Sequence, residues 1–453
     1  MNRPTIGLFR RSVRLLAWLC GSLALGTLGG NTAQADPPAR LATRVFGYIP
    51  YWTASKKTWD YQGLTDIALF SVGASDNGTL TSTTFWRSSQ ARTLIDEAHS
   101  HGVKVELAVT NFDPTSLHNL LTSPASVDAL IAALVKEALV TQPGDGLSID
   151  FEGLRGSERV PLVDFIRKLR AAMKAKMVNS QLSLATPAVD WNSAYDYAGL
   201  AAESDTLFIM GYGYHWSGSS SPGPGAPLVC GAPWGNYCLS KTVAEYVAAV
   251  GPTQRHKIVL GLPLYGYDYP ADTDKIGAKS LGTGSAVLYS TARDQVKSRR
   301  YEPVSQSPWY VYTDAKSVLH QVWYDDEESL GKKIDYIVDQ RIGGVGFWAL
   351  GYEDESAWKL IQRKLSLPSP QPPSPLPLPT LPPVDSQPPQ MDSMAEIQGC
   401  SLTMAARTHT PGATTWMPLG LLLLGASIRR RLHLARALAF TISSTFLVKS
   451  PFT

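Results

Sequence analysis

Residues 145–152 read Asp145-Gly146-Leu147-Ser148-Ile149-Asp150-Phe151-Glu152. As an extended strand, this octet sends alternate side chains to opposite faces. Leu147, Ile149 and Phe151 then share one face, and Ser148, Asp150 and Glu152 share the other. Carboxylates two residues apart on one strand face stand on the order of 7 Å apart at the backbone. The apolar surroundings make such a pair costly, because a buried charge needs a partner or a shifted pKa. A like-charged neighbour and burial both favour the protonated form of one carboxyl, the form a general acid needs near neutral pH. The plainer reading is a strand end whose acids meet solvent or cap the next helix. The flanking sequence decides between the two.

On both sides of the octet, short apolar runs alternate with helical periods. Candidate strands are 45–50, 66–72, 103–110, 147–151, 181–186, 206–210, 257–262 and 344–349. Helix-period segments include 92–100, 127–140, 160–177, 241–250 and 327–340, with Ser126 to Asp128 supplying cap-type residues and Gly102 closing a helix. Strands that alternate with helices are parallel and buried on both faces. Eight such units favour an α/β (β/α)8 TIM barrel over an open doubly wound sheet. The lack of a Gly-rich phosphate loop after the first strand argues the same way. Strands seven and eight are far apart, and the aromatic runs between them predict a small α+β insertion over about 268–324.

In such a barrel, catalytic groups come from the C-terminal ends of several strands. That rule gathers Asp150 and Glu152, the run Met210-Gly211-Tyr212-Gly213-Tyr214-His215-Trp216, Tyr265, Trp348, and Tyr48, Tyr51 and Trp52. Aromatic rings beside two carboxyls suit a sugar, whose flat pyranose faces stack on them. Each ring alone is as well explained by core packing.

These residues resemble glycoside hydrolase family 18, the chitinase-like hydrolases. The family's strand-four pattern Asp-Gly-x-Asp-x-Asp-x-Glu is met at Asp145, Gly146, Asp150 and Glu152. Its strand-six Met-x-Tyr-Asp is met at Met210 and Tyr212, and its strand-eight Trp at Trp348. The resemblance spans about residues 44–364, and finer segments (Tyr214-His215-Trp216, residues 322–326, residues 348–352) look like the spore-cortex and cell-wall branch. Two positions depart from the pattern: Ser148 replaces the middle Asp, and Gly213 replaces the strand-six Asp. Ser148 is expected to hydrogen-bond Asp150, and Gly213 removes a substrate contact.

The resemblance implies substrate-assisted retaining hydrolysis of β-linked N-acetylglucosamine glycans: chitin, chito-oligosaccharides, peptidoglycan or N-glycans. It casts Glu152 as the acid, Asp150 and Tyr212 as holding the acetamido group, and Trp348 as the floor, with Tyr48, Met210 and Tyr265 lining the substrate site. Asp145 and Ser148 are support residues. No metal or organic cofactor is implied. The rival is a lectin-like surface protein that binds such glycans without cleaving them, and retention of Glu152 argues against it.

The remaining sequence frames this region. The chain has 453 residues, 44% hydrophobic content, 12 Trp and a net charge of +3, which predicts a substantial core and no nucleic-acid partner. Arg10, Arg11 and Arg14, the apolar run after them and Ala33-Gln34-Ala35 outline a secretion signal over 1–35. An exported protein keeps disulfides, so Cys230 and Cys238, eight residues apart, are expected to pair. His-Glu-x-x-His and paired Cys-x-x-Cys spacings are missing from the sequence. His99 and His101 are read as a solvated helix end. Residues 366–390 read as a Pro-rich spacer. Residues 399–453 hold Cys400, an apolar run and Arg429-Arg430-Arg431. That order resembles bacterial C-terminal surface-sorting tails and implies cell-surface or membrane attachment, although the chain runs on past the arginines.

Overall fold

In the computed structural model, residues 43–56, 58–294 and 298–365 are described; the expected signal, Pro-rich spacer and tail lie outside them. The first half of this region runs β1 (Arg44–Pro50), β2 (Asp66–Ala74), a two-residue β3 (Leu80–Thr81), α1 (Ser89–Ser100), β4 (Lys104–Asn111), α2 (Pro114–Thr122), α3 (Pro124–Lys136) and β5 (Gly146–Phe151). Then come α4 (Arg159–Lys176), β6 (Gln181–Pro187), α5 (Tyr197–Glu203), β7 (Thr206–Met210), α6 (Leu239–Val250) and β8 (Ile258–Pro263). A separate group follows: β9 (Tyr265–Pro270), β10 (Ser285–Leu288), α7 (Tyr289–Asp294), β11 (Arg300–Glu302), β12 (Ser307–Thr313) and β13 (Leu319–Trp323). The chain then returns through α8 (Glu327–Asp339), β14 (Gly344–Trp348) and α9 (Glu355–Leu365).

Eight parallel strands close on themselves in the order β1-β14-β8-β7-β6-β5-β4-β2, with β1 pairing both β14 and β2. This is the expected (β/α)8 barrel, and each predicted strand is present with ends displaced by no more than two residues. Alternation along β5 decides what each face meets. Phe151 points outward and stacks on Phe165 of α4 with ring centroids 5.7 Å apart. Ser148 points inward and meets the Tyr48 hydroxyl of β1 at 2.8 Å.

The barrel interior is filled by large rings set against missing side chains. Phe208 lies edge-on to Tyr48 at 4.9 Å and near Phe46 at 5.6 Å. It fits because its neighbours on β8 and β14 are glycines. A Cβ on Gly261 would stand 2.3 Å from the ring, and one on Gly346 2.1 Å.

At the N-terminal floor, Arg44 pairs with Asp66 at 3.2 Å, and the buried Glu106 accepts a hydrogen bond from Ser183. Burial pushes the Glu106 carboxyl up to about 8. Helix starts follow their cap chemistry. Ser88 opens α1, Asp113 opens α2 with Pro114 just inside, and Asp326 opens α8. The cap of α3 is Ser123, which accepts from the Ser126 N–H, and not the expected Ser126.

The insertion is a five-stranded antiparallel sheet in the order β10-β9-β13-β12-β11, with α7 beside it. It begins at Tyr265, three residues earlier than expected, because Tyr265 already pairs with Leu288 of β10. Trp309 and Trp323 stack 5.0 Å apart, and Trp234 meets Trp323 edge-on at 4.9 Å. Trp234 comes from the loop between β7 and α6, closed by the disulfide Cys230–Cys238.

Candidate active site

The C-terminal end of β5 carries the acids. Asp150 is the fifth residue of the strand, and Glu152 follows its end, its N–H bonded to the Asn111 carbonyl of β4 at 3.0 Å. Both carboxyls are buried, Asp150 at 6% and Glu152 at 8% exposure. Burial pushes Asp150 up to about 7. Burial, and then the negative charge of Asp150, push Glu152 well above the ordinary carboxylate range. Both causes favour the protonated form of Glu152. Among the described residues, Asp150 Oδ1 has no hydrogen-bond partner, although it is fully enclosed. A buried carboxylate oxygen without a donor costs free energy.

Aromatic residues wall the acids in. Trp348, the last residue of β14, lies 5.7 Å from Tyr48, 4.8 Å from Phe70 and 6.4 Å from Trp52, measured between ring centroids. Trp52 donates its indole N–H to the Tyr352 hydroxyl at 2.9 Å, which fixes the first strand's loop against the last. The peptides Phe70–Ser71 and Trp348–Ala349 are cis. On the other wall, Tyr212, two residues past β7, meets Tyr265 edge-on at 6.2 Å, and both are buried. Met210 ends β7 and packs, partly buried, against the core.

Several expected residues stand elsewhere. Asp145 precedes β5, so it lies at the opposite end of the strand from Glu152. Its carboxylate accepts the Val105 N–H at 2.8 Å and contacts His99 at 2.7 Å, which ties β4 to β5 at the floor. His99 is thus engaged, and His101 stacks on Tyr61, so that helix end is not merely solvated. Ser148 bonds Tyr48 instead of Asp150, because the two hydroxyls meet across the barrel. Tyr214 turns to the Thr242 hydroxyl of α6 at 2.7 Å, and His215 packs edge-on against Trp234. These two serve packing.

Other residues joined the site without a local sequence signal. Tyr195 donates its hydroxyl to the Phe151 carbonyl at 2.8 Å, and its own pKa is raised by burial and then by Glu152 and Asp150. Thr110 sits beside Asp150 in the strand register, and Ser71 meets it at 3.2 Å. A lone Tyr or Thr in a loop or strand carries no spacing that marks it. Among the described residues, no cluster of three or more His, Cys, Asp or Glu is arranged to hold a metal ion.

The two buried, unequal carboxyls and the aromatic wall thus meet at the strand ends of a (β/α)8 barrel, where such barrels carry their active sites. Residues 44–353 match the family described as glycosyl hydrolases family 18, and the chain belongs to that family. YdhD of Bacillus subtilis (strain 168), named as a sporulation-specific glycosylase, is 29% identical over 244 residues, 53% of this chain and 54% of YdhD. The chain thus spans little more than half of that relative. The cortical fragment-lytic enzyme of Bacillus anthracis is 27% identical over 319 residues, covering 67% of this chain and 69% of the relative. Human (Homo sapiens) di-N-acetylchitobiase is 27% identical over 353 residues, covering 68% and 82%. The crystal structure of the Bacillus cereus spore cortex-lytic enzyme SleL shares the fold, with a TM-score of 0.59 and 21% identity over 71% of this chain and 74% of SleL.

Proposed function

We propose that this protein is a retaining glycosidase acting on glycans that contain β-linked N-acetylglucosamine, with the sugar's own acetamido oxygen as nucleophile. The observation that carries the reading is the buried pair on one strand face: Glu152, which burial and Asp150 push toward its protonated form, and Asp150 with an oxygen that lacks a donor among the described residues. Enzymes that form a covalent glycosyl intermediate need a second carboxyl about 5 Å from the acid, on the far side of the sugar. Asp150 shares the strand face of Glu152, and Glu106 lies at the barrel floor, so neither takes that role.

Glu152 gives its proton to the glycosidic oxygen as the bond from that oxygen to the anomeric carbon breaks. The acetamido oxygen attacks the anomeric carbon and forms an oxazolinium ion. Asp150 accepts the acetamido N–H through Oδ1 and offsets the positive charge. Tyr212 holds the acetamido group, and Trp348 forms the floor beneath the sugar. Water, deprotonated by the Glu152 carboxylate, then opens the ring with the β configuration kept. The names of the Bacillus anthracis and human relatives support peptidoglycan fragments and chito-oligosaccharides as the substrate class. We further propose export through the segment 1–35 and attachment at the cell envelope through the tail after residue 399.

A glycan-binding protein without turnover is the second reading, favoured by Gly213 at the position of the family's strand-six Asp. Hydrolysis of chito-oligosaccharides and of purified peptidoglycan by the wild type and by Glu152→Gln separates the two. Cleavage with initial β-anomeric product, reduced roughly 10²- to 10⁴-fold in the variant, is expected. Binding by both proteins with cleavage by neither would leave the second reading standing.

A further inference from the structure

A groove of about 430 Å³ runs down the outside of the barrel between α3 and α4, away from the acids. Ile131, Ala132 and Val135 of α3, Ala172 of α4, and Val140 line it with aliphatic carbon. An alanine on each helix leaves a hollow that larger side chains would fill. Val140 belongs to a π-helical turn (Glu137–Thr141) that continues α3. That turn is fastened from behind, because the Glu137 carboxylate accepts two hydrogen bonds from Arg87, at 2.8 and 2.7 Å. Val140 is nonetheless 49% exposed. Val178, two residues past the Lys176 that also lines the groove, is 77% exposed. One exposed valine is ordinary on a protein surface. Two at the mouth of an apolar hollow form a patch.

Charge along the groove is uneven. At one end Asp128 is met by Lys168 at 3.5 Å. At the other end stand Lys136 and Lys176, both exposed, and among the described residues neither has a carboxylate partner. Their neighbour Lys174 is engaged by the Ser180 carbonyl. A lysine in the last turn of a helix suits the helix dipole by itself. Here two helices end side by side, and a free ammonium from each borders the same hollow. The helices run opposite to the strands, so this end of the groove lies at the barrel floor with Asp145, at the pole away from Glu152.

The lining selects the occupant. Among the described residues it offers no aromatic ring for a sugar face and no unpaired carboxylate for a cation. A second copy seated on the same groove by a two-fold axis would set lysine against lysine. The chain's own apolar run within 399–453 leads into Arg429-Arg430-Arg431, again like charge against like. A partner with alkyl chains beneath fixed negative charge satisfies both the valines and the lysines, and an anionic bilayer presents that combination.

We propose that the floor-side corner of α3 and α4 docks on an anionic phospholipid bilayer. Lys136 and Lys176 meet lipid phosphates, Val140 and Val178 reach the boundary between headgroups and acyl chains, and the groove receives an acyl chain. This contact depends neither on the glycosidase reading nor on attachment through the tail. It leaves the acid-bearing pole facing away from the lipid.

The test sediments the full-length protein with vesicles of phosphatidylcholine alone and of phosphatidylcholine mixed with phosphatidylglycerol, at low and at high salt. Lys136→Gln and Lys176→Gln are each expected to weaken binding to the mixed vesicles about fivefold at low salt, and roughly 25-fold together. Binding to phosphatidylcholine alone should stay as it is. Val140→Ser with Val178→Ser should weaken binding to the mixed vesicles at high salt as well, where the lysines are screened. Lys316→Gln, an exposed lysine in the β12–β13 hairpin, removes the same charge elsewhere and should change nothing. Thermal unfolding confirms that each variant folds. A double lysine variant that binds mixed vesicles as tightly as the wild type overturns the proposal and assigns the preference to Arg429-Arg430-Arg431. An equal loss in Lys316→Gln, or a wild type indifferent to phosphatidylglycerol, overturns it too.

Discussion

Asp150 and Glu152 differ in proton affinity because they differ in neighbours. Burial raises both, and the charge of Asp150 adds to Glu152. Asp150→Asn removes that charge, so Glu152 should surrender its proton at a lower pH. The alkaline limb of the kcat/KM profile is expected to move downward in pH, beside a fall in kcat/KM itself, and pH–rate profiles on chito-oligosaccharides would show both. An unmoved limb would mean that Asp150 does not set the proton affinity of Glu152. Gly213 makes a second case. Its φ of +81° lies in the left-handed region, and a Cβ there would meet no atom within 4 Å. Gly213→Asp, which returns the family's residue, should therefore cost about 1 kcal/mol through backbone strain, with no clash at its Cβ. Thermal unfolding measures this. Sequence exposed the acids because strand alternation alone puts Asp150 and Glu152 on one face. It could not expose the partner of Ser148, since Tyr48 is a hundred residues away and meets it only when the barrel closes. Tyr195 was hidden for the same reason.

At the level of elements, the eight strands were legible because each is a short apolar run bounded by turn residues, buried on both faces. The helices α2 and α5, of nine and seven residues, gave too little periodicity to stand out. The start of α3 was misread because Ser123-Pro124 puts the cap one turn ahead of the apolar stripe. Asp145 shows how a motif can span two functions. Its far end carries the acids, and its near end fastens one strand to the next. The packing of β8 and β14 around Phe208 yields a sharper prediction. Gly346→Ala would place a methyl 2.1 Å from the ring, so the core must shift or the ring must leave its rotamer. A loss of about 1–3 kcal/mol in urea unfolding is expected. A variant as stable as the parent would show that the ring has room to move.

Across the whole molecule, the buried acids couple folding to pH. Glu106 at the floor, raised to about 8 from 4.5, stays protonated in the folded state where the unfolded chain has released its proton. The folded state then binds more protons than the unfolded one, and stability falls as pH rises from about 4.5 to 8. The slope is about 1.4 kcal/mol per pH unit for each such group, and Asp150 and Glu152 act with the same sign. Urea unfolding at pH 5 and pH 8 should show the wild type weaker at pH 8, and Glu106→Gln should flatten part of the slope. Equal slopes in the two proteins would mean that Glu106 ionises freely in the folded state.

The last described helix bears on how such a protein can be moored. α9 starts beyond the acid-bearing end of β14 and runs back down the barrel, where Lys364 pairs with Asp335 late in α8 and Gln362 reaches Asp60 ahead of β2. Leu365 therefore lies at the pole where Arg44 enters, away from the acid-bearing strand ends. If the proposed attachment after residue 399 holds, a leash at that pole would grip the molecule by its back and leave the acid-bearing end turned outward.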